Sequence, residues 1–201
     1  MCGRFFTNFS EAELRDIFKS AEQQAQPDEM TLMKTAGEIF PTDTVPILSS
    51  PETYRPMQWG FMQEGKKQPI INARSESVFG RPMFKTPIQR HRCLVPCHGF
   101  YEWDKRKQKY LYHLAGNDLM YLAAIWRIER GARCPRFTIL TRDAVGDLWE
   151  IHDRMPVIVP KELADTWLME NSRIAEVIRQ ARTDVEYERV SPPAEPRRCL
   201  I

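Results

Sequence analysis

Apolar residues recur along the chain with two different periods, one typical of helices and one of strands. The first helical pattern follows Ser10 and Glu13, the two ends of a capping box, and predicts an amphipathic helix over roughly residues 11–25. Its apolar side is formed by Leu14, Ile17, Phe18 and Ala21. Two further helices are predicted over residues 161–171 and 173–182, the second with an apolar stripe that we interpret as core-facing.

Between the first helix and the last two, the chain contains short runs rich in β-branched and aromatic residues. The predicted strands cover residues 45–48, 93–95, 100–103, 110–114, 121–128, 137–141 and 156–159. Glycine, proline and charged turns separate them, which favours an antiparallel sheet over a doubly wound parallel one. The sequence therefore predicts an α+β fold: a single domain over residues 1–191 with a largely antiparallel β-sheet flanked by helices, and a loose proline-rich tail over residues 192–201.

Composition narrows the functional classes. The 201 residues are 42% hydrophobic and 28% charged, as is usual for a globular domain. The longest apolar run, residues 120–126, is too short for a membrane span, and no secretory signal pattern opens the chain, so we expect a cytoplasmic protein. Its five cysteines are then expected to be reduced. Because the net charge is only +2, a nucleic-acid site would have to be a local patch.

Cys2 lies directly behind the initiator methionine. Removal of Met1 would leave an α-amine and a thiol on adjacent carbons. Such an aminothiol condenses with an aldehyde to an imine, which the thiol then closes to a thiazolidine ring. An α-amine titrates near about 7.8 and a lysine amine near about 10.4, so the terminal amine reacts first at neutral pH. The alternative interpretation is an incidental cysteine in a frayed terminus.

Asn72 and Arg74 follow an apolar pair at residues 70–71. Asparagine offers both a donor and an acceptor, and arginine offers a fork that suits phosphate or carboxylate. The segment is therefore a candidate for binding a substrate. A turn with a surface ion pair is the alternative.

Glu102 is flanked by the aromatic residues Phe100, Tyr101 and Trp103. Desolvation in such surroundings would raise the pKa of this carboxyl toward the range of a general acid. The alternative is a glutamate on an edge strand that points to water while its neighbours point inward.

His152, Asp153 and Arg154 stand together just before a predicted strand. Histidine carries protons near neutral pH, Asp153 could orient the ring, and Arg154 could hold an anion. A structural histidine is the alternative interpretation.

Other functions stay open on the residues alone. A short stretch contains four residues of zinc-binding type: His91, Cys93, Cys97 and His98. Without a second pair at ligand spacing this is a weak zinc signal, so we predict neither a metal nor a cofactor. Cys2 with His152 as its base could form a cysteine peptidase or amidohydrolase. A non-catalytic module that binds single strands is a third hypothesis.

Several motifs occur together in one order and spacing. They are Cys2-Gly3-Arg4-Phe5, Phe40-Pro41-Thr42, Trp59-Gly60, Ile71-Asn72-Ala73-Arg74-Ser75-Glu76, Met83-Phe84-Lys85, Gly99-Phe100-Tyr101-Glu102-Trp103, Leu140-Thr141 and Ile151-His152-Asp153-Arg154-Met155-Pro156. In these motifs the chain resembles the SRAP family, the SOS response-associated peptidase or abasic-site processing proteins. The resemblance is specific because independent motifs fall in register from residue 2 to about residue 160.

The resemblance implies a protein that crosslinks covalently to abasic sites in single-stranded DNA, whose ring-opened aldehyde is the partner an aminothiol needs. It implies Cys2 as the nucleophile and Asn72 as the group that positions the backbone and amine of Cys2. Glu102 would shuttle protons, and His152 would assist sugar opening and contact the adjacent phosphate. The family fold has a curved antiparallel sheet. Removal of residues ahead of Cys2 by the same site, and incision by β-elimination, are further activities to test.

A strand-binding surface follows from the same resemblance. The expected phosphate-binding residues are Arg4, Arg74 and Arg154, with Thr141 as a hydroxyl donor. The residues expected to stack on or wedge apart the flanking bases are Pro41, Trp59 and Phe84, with core packing as the alternative. Three arginine forks in one groove would bind a single strand without a high net charge. We therefore expect single-stranded DNA with abasic sites as partner, a monomer, and a cytoplasmic location in association with the nucleoid.

The chain departs from the family pattern at three places. Residues 37–40 read Gly-Glu-Ile-Phe where the family commonly has a Tyr-Asn pair ahead of its proline loop. Cys97 and His98 stand where a small and an acidic or polar residue are expected, and His98 lies close to Glu102 in sequence. After Ser191 a proline-rich end replaces the family's asparagine-containing strand.

Overall fold

Strands dominate the chain in the computed structural model, which describes residues 2–190. The strands are β1 (Arg4–Asn8), β2 (Ala36–Ile39), β3 (Thr44–Ser50), β4 (Thr53–Trp59), β5 (Asn72–Arg74), β6 (Arg92–Cys97), β7 (Gly99–Trp103), β8 (Lys109–His113), β9 (Met120–Arg127), β10 (Arg136–Asp143), β11 (Arg154–Pro156), β12 (Ile158–Val159) and β13 (Glu186–Arg189). The α-helices are α1 (Glu11–Glu22), α2 (Pro27–Thr31), α3 (Pro82–Arg90), α4 (Leu148–Ile151), α5 (Ala164–Met169) and α6 (Ile174–Arg179). The predicted tail, residues 192–201, lies outside the described residues.

Within residues 2–190, sheet 1 contains five strands in the order β13-β8-β7-β1-β2, and every neighbouring pair is antiparallel. β1 lies between β2 and β7, so the N-terminal strand is an interior strand of the sheet. Its first residue, Arg4, pairs with Tyr101, and Phe5 pairs with Phe100. The N-terminal segment is therefore fixed by hydrogen bonds on both sides.

In the part of the chain that the structure describes, sheet 2 contains eight strands, of which five close into a ring. β10 pairs with both β4 and β9, and the path β10-β4-β3-β6-β9 returns to β10. β4 and β5 run parallel to β10, whereas the other pairs in this sheet are antiparallel. The α+β class with a largely antiparallel sheet is confirmed, and the strands are divided between two sheets.

The predicted first helix is present, and its capping box is formed as the sequence indicates. Ser10 Oγ accepts from the amide of Glu13, and the Glu13 carboxylate accepts from the amide of Ser10. The helix ends at Glu22 rather than near residue 25. Each of the two later helices is shorter than predicted and begins with one 3-10 turn, at Lys161–Leu163 and Asn171–Arg173. Glu170 has extended backbone angles and separates them.

All seven predicted strand segments fall on strands, with three differences in extent. Residues 156–159 are divided between β11 and β12, Leu114 lies just past the end of β8, and Ile128 lies just past the end of β9. Five strands were not predicted: β1, β2, β4, β5 and β13. β1, β2 and β5 are short, β4 is interrupted by an arginine and a proline, and β13 is exposed.

Two apolar clusters form the core, one on each face of sheet 2. The first joins sheet 2 to sheet 1 and includes Cys2, Phe5 and Trp59. The second lies between sheet 2 and the helices α3, α5 and α6, with Trp167 at its centre. Successive residues of β6 illustrate the division, since Cys93 and Val95 belong to the first cluster and Leu94 to the second. No helix within residues 2–190 is both long and apolar enough to cross a membrane.

Candidate active site and strand-binding surface

Cys2 lies buried where the two sheets meet. Cys2 lies two residues ahead of the first residue of β1, and its carbonyl oxygen accepts a hydrogen bond of 2.9 Å from Asn72 Nδ2. Asn72 is the first residue of β5, which belongs to sheet 2. The backbone of the candidate nucleophile is thus tied to both sheets, and the alternative of a frayed terminus does not apply to Cys2.

The thiol of Cys2 is kept protonated by its surroundings. Burial raises its pKa well above the usual value, and the charges of Glu102 and Cys97 raise it further. Sγ lies 3.6 Å from the carbonyl oxygen of Arg4, to which it donates. A protonated thiol is a weak nucleophile, so this group needs a base before it can attack.

Glu102 faces the interior because of the alternation along β7. Phe100 and Glu102 lie on the face that packs toward sheet 2, and Tyr101 and Trp103 lie on the opposite face. Only 3% of Glu102 is exposed, so the alternative of an edge-strand glutamate in water is wrong. β7 is not an edge strand, since β1 and β8 flank it. Burial raises the pKa of Glu102 to about 7, which suits a group that both gives and takes protons near neutral pH.

Asn72 offers an acceptor as well as the donor that holds Cys2. Its Oδ1 is buried and has no hydrogen-bond partner among the described residues. A buried amide oxygen without a partner costs free energy, so it is poised to accept from a group that enters the site. An amine on the backbone of Cys2 is such a group.

His152 follows α4 and is half-buried. Its Nδ1 lies 3.0 Å from the amide nitrogen of Arg154, which can only donate, so Nδ1 accepts and the neutral ring carries its proton on Nε2. Nδ1 also lies 3.1 Å from Asp153 Oδ1, a contact that needs a proton on Nδ1. The first arrangement holds at neutral pH, because burial lowers the pKa of His152 and the Asp153 side chain is largely exposed.

Arg154 is buried inside a network rather than open to a ligand. Its two terminal nitrogens lie 2.9 and 3.0 Å from the two carboxylate oxygens of Glu76. Asp143 accepts from the same guanidinium, and Thr141 accepts from it through both its carbonyl oxygen at 2.8 Å and its hydroxyl at 3.3 Å. In this conformation both terminal nitrogens are occupied and Nε is buried without a partner among the described residues, so the expected phosphate contacts of Arg154 and Thr141 do not fit their placement.

Arg74 differs from Arg154 although both are expected phosphate-binding residues. It pairs with Thr141 across β5 and β10, and its side chain is exposed. It makes no ion pair with any residue in the described range 2–190. Arg74 therefore keeps its fork available for an anion.

The three residues expected to contact bases have different environments. Trp59 is fully buried between Phe5 and Phe137 and donates from Nε1 to the carbonyl of Ile71 at 3.0 Å, so it belongs to the core and offers no face for stacking. Phe84 is half-buried on α3, with its ring centroid 6.2 Å from that of Phe61. Pro41 is half-buried in the loop after β2. Pro41 and Phe84 remain candidates for base contacts.

The four residues of zinc-binding type are not gathered into a site. His91 stacks on Trp126 with ring centroids 4.6 Å apart, and His98 Nδ1 accepts from the amide of Asn8 at 3.1 Å. Within residues 2–190 no three side chains of His, Cys, Asp or Glu are placed to share a metal ion. The bond from Asn8 also directs His98 toward β1 rather than toward Glu102.

Two charged residues that the sequence did not single out lie beside Arg4. Arg4 Nη1 is 3.2 Å from Glu38 Oε2, and Lys109 contacts the other oxygen of the same carboxylate. Lys109 and Glu38 are 71 residues apart, so no local pattern indicates their contact.

Comparison with known proteins agrees with this arrangement. The family model described as SOS response associated peptidase (SRAP) matches residues 1–194. The chain belongs to the SRAP family. Abasic site processing protein YedK of Escherichia coli K12 is 30% identical over 178 residues, which cover 84% of this chain and 79% of YedK. Abasic site processing protein YoqW of Bacillus subtilis 168 is 30% identical over 190 residues, which cover 84% of this chain and 80% of YoqW.

Solved structures share the fold of this SRAP chain. A protein from Bordetella bronchiseptica superposes with a TM-score of 0.77 at 19% identity and covers 95% of this chain and all of its own. A protein from Bacteroides thetaiotaomicron gives a TM-score of 0.74 at 20% identity, over 94% of this chain and 92% of its own. The two-sheet architecture is therefore shared by distant sequences.

Proposed function

We propose that this SRAP chain processes abasic sites in single-stranded DNA, and that it does so by capturing the abasic aldehyde with the α-amine and thiol of Cys2. The observation that carries the proposal is the convergence of Cys2, Asn72 and Glu102 at the meeting of the two sheets. The names of the relatives YedK and YoqW support the substrate class.

The capture has two bond-forming steps. The α-amine, exposed once Met1 is removed, attacks the aldehyde carbon, and the aldehyde oxygen leaves as water to give an imine. The thiol sulfur then bonds to the imine carbon, its proton passes to the nitrogen, and a thiazolidine results. The net reaction joins protein and DNA with loss of one water molecule.

The pKa values determine the order of these steps. Because burial and the charges of Glu102 and Cys97 raise the pKa of the Cys2 thiol, the amine attacks first and the thiol waits for a base. Glu102, with a pKa raised to about 7 by burial, can donate a proton to the departing oxygen and later accept one from the thiol. One carboxyl therefore serves both steps.

Asn72 and His152 position the reacting groups. Asn72 holds the Cys2 carbonyl through Nδ2 and leaves Oδ1 to accept from the amine. The Nε2–H group of neutral His152 donates to the sugar oxygen or the adjacent phosphate. Arg74 contributes an exposed guanidinium for the strand.

A general thiol hydrolase is less well supported than aldehyde capture. Such an enzyme needs a thiolate activated by a histidine. Here the Cys2 thiol donates to the Arg4 carbonyl, and the groups that most affect its pKa are Glu102 and Cys97 rather than His152. We retain peptidase chemistry only as removal of residues ahead of Cys2, and strand incision by β-elimination as a consequence of the imine.

Intact-protein mass spectrometry tests the proposal. The purified chain is measured before and after incubation with a single-stranded oligonucleotide that contains one abasic site, beside a Cys2→Ala control. Loss of Met1 and a heat-stable species equal to protein plus oligonucleotide minus one water are expected, and the control should not form it. Methylation of the α-amine should also prevent it. A processed terminus without an adduct would refute capture, and a shortened oligonucleotide on the protein would reveal incision.

A further inference from the structure

A cluster of charged and aromatic side chains covers the outer face of sheet 1. The strand register places these residues on one face: Arg4, Glu38, Tyr101, Trp103 and Lys109. Arg4 is paired with Tyr101, and Trp103 with Lys109. Glu102 points to the opposite face, so this cluster is separate from the proton-transfer group of the proposed mechanism.

One carboxylate holds two cations in this cluster. Glu38 Oε2 lies 3.2 Å from Arg4 Nη1, and Glu38 Oε1 contacts Lys109 Nζ. About a third of the Arg4 and Glu38 side chains is exposed. Arg4, Lys109 and Glu38 together carry one net positive charge, and Glu188, which pairs with Leu111 beside Tyr101 on the same face, adds a second negative charge nearby. Lys34, the next cation along this edge, is paired with Asp43 at 3.1 Å.

Aromatic rings fix the positions of the two cations. The Arg4 guanidinium lies 4.5 Å from the ring centre of Phe40 and 4.9 Å from that of Trp103. The Lys109 ammonium lies 3.8 Å from the ring centre of Tyr101. These distances are within the range of cation–π attraction, so both cations are held even when their carboxylate moves away.

The cluster lies next to the candidate nucleophile. Arg4 and Cys2 are two residues apart, which is at most about 7 Å along the backbone. A nucleotide bound at Cys2 therefore has its neighbouring phosphates within reach of Arg4. A phosphodiester, like a carboxylate, presents two oxygens to paired cations.

Resting on the proposed function, we infer that Arg4 and Lys109 together bind a backbone phosphate beside the captured nucleotide, and that Glu38 occupies the place of that phosphate in the DNA-free protein. Lys109 is then a strand-binding residue, and Glu38 sets the affinity by competing with DNA. The exchange is feasible at the Arg4–Glu38 pair because ion pairs that are about one-third exposed are weak, whereas the Lys109 side chain is 18% exposed and needs the phosphate as a replacement partner.

Anisotropy titrations with a labelled oligothymidylate that has no abasic site test this inference. Lys109→Met should weaken binding about two- to five-fold. It should also lower the magnitude of the slope of log affinity against log salt concentration by about 0.7, which corresponds to the loss of one phosphate contact on a single strand. Glu38→Gln should tighten binding about two- to five-fold, a gain that misfolding cannot mimic. Lys109→Arg should retain the wild-type affinity, and Glu176→Gln, which alters an ion pair on α6, is the matched control.

The crosslinking assay separates failure of this inference from failure of the proposed function. If the wild-type chain crosslinks to an abasic oligonucleotide while Lys109→Met binds as tightly as wild type, or Glu38→Gln binds more weakly, the inference alone is overturned. If the wild-type chain neither binds nor crosslinks, the proposed function fails and the inference with it.

Discussion

Glu102 and Glu38 lie on opposite faces of sheet 1 and have opposite pKa shifts. Glu102 faces the interior, and burial raises its pKa to about 7. Partial burial alone would raise the pKa of Glu38 as well, but the hydrogen bonds and charges of Lys109 and Arg4 outweigh it and lower the pKa. The same type of side chain thus has a pKa near neutral on one face of the sheet and a lowered pKa on the other.

The difference shows that the nearest partners decide what a glutamate does in this sheet. Burial without a sufficient positive charge gives Glu102 a neutral form near pH 7, which acid–base chemistry requires. Two cations keep Glu38 charged, which suits it to occupy an anion site. Substitution of each glutamate by the isosteric glutamine separates the two roles.

The largest expected effect comes from removing the proton carrier. Glu102→Gln keeps the shape of the side chain but cannot exchange protons, so the crosslinking rate should fall by about 10²- to 10⁴-fold. Gel quantification of the adduct over time, at saturating abasic oligonucleotide, measures this rate. Glu176→Gln on α6 is the control, and a Glu102→Gln rate within a few-fold of wild type would exclude Glu102 as the shuttle.

The next effect is on the pH dependence of stability. A carboxyl with a raised folded-state pKa contributes stability below about pH 4.5, its unperturbed value, and loses that contribution progressively until about pH 7. Glutamine does not titrate, so the Glu102→Gln variant does not lose this contribution. Its unfolding free energy relative to wild type should therefore rise between these pH values, by up to about 3 kcal/mol. Urea unfolding at pH 4.5 and pH 8 measures the difference. A constant difference would mean that Glu102 is not perturbed by burial.

The smallest effect is on the stability contributed by Glu38. Its pKa is lowered, so its ion pairs stabilise the fold above the unperturbed value and weaken as the pH falls below it. Because the pair with Arg4 is about one-third exposed, Glu38→Gln should cost only about 0 to 1 kcal/mol at pH 7. Urea unfolding of the variant and the wild type in low and high salt measures this difference in unfolding free energy. A loss of several kcal/mol would show that Glu38 is structural rather than exchangeable with phosphate.

The sequence indicated the strands with continuous apolar runs well, because those runs carry the signal. β4 was missed because Arg55 and Pro56 interrupt its pattern, and proline normally argues against an interior strand. In the sheet Pro56 lies opposite Pro46 of β3, an arrangement that only the register reveals. β13 is exposed along its whole length, so it has no apolar side for a pattern to show.

The candidate site was predictable in its residue types but not in its connections. The aromatic neighbours of Glu102 suggested desolvation, yet only the packing of sheet 2 on the inner face of sheet 1 decides that Glu102 is buried. Arg154 was expected to meet DNA, but its carboxylate partner Glu76 lies 78 residues away in sequence and fills its fork. Contacts at such separations depend on topology, which composition and spacing do not encode.

The position of β1 in sheet 1 also determines when this strand can pair during translation. β1 is translated well before one of its two neighbours, because its partner Tyr101 is added about a hundred residues after Arg4. At about 5 to 20 residues per second, translation leaves the first strand unpaired on one side for roughly five to twenty seconds. During that interval Cys2, which lies just ahead of β1, is not yet buried beneath the second sheet. The order of translation therefore separates the synthesis of Cys2 from its burial in time.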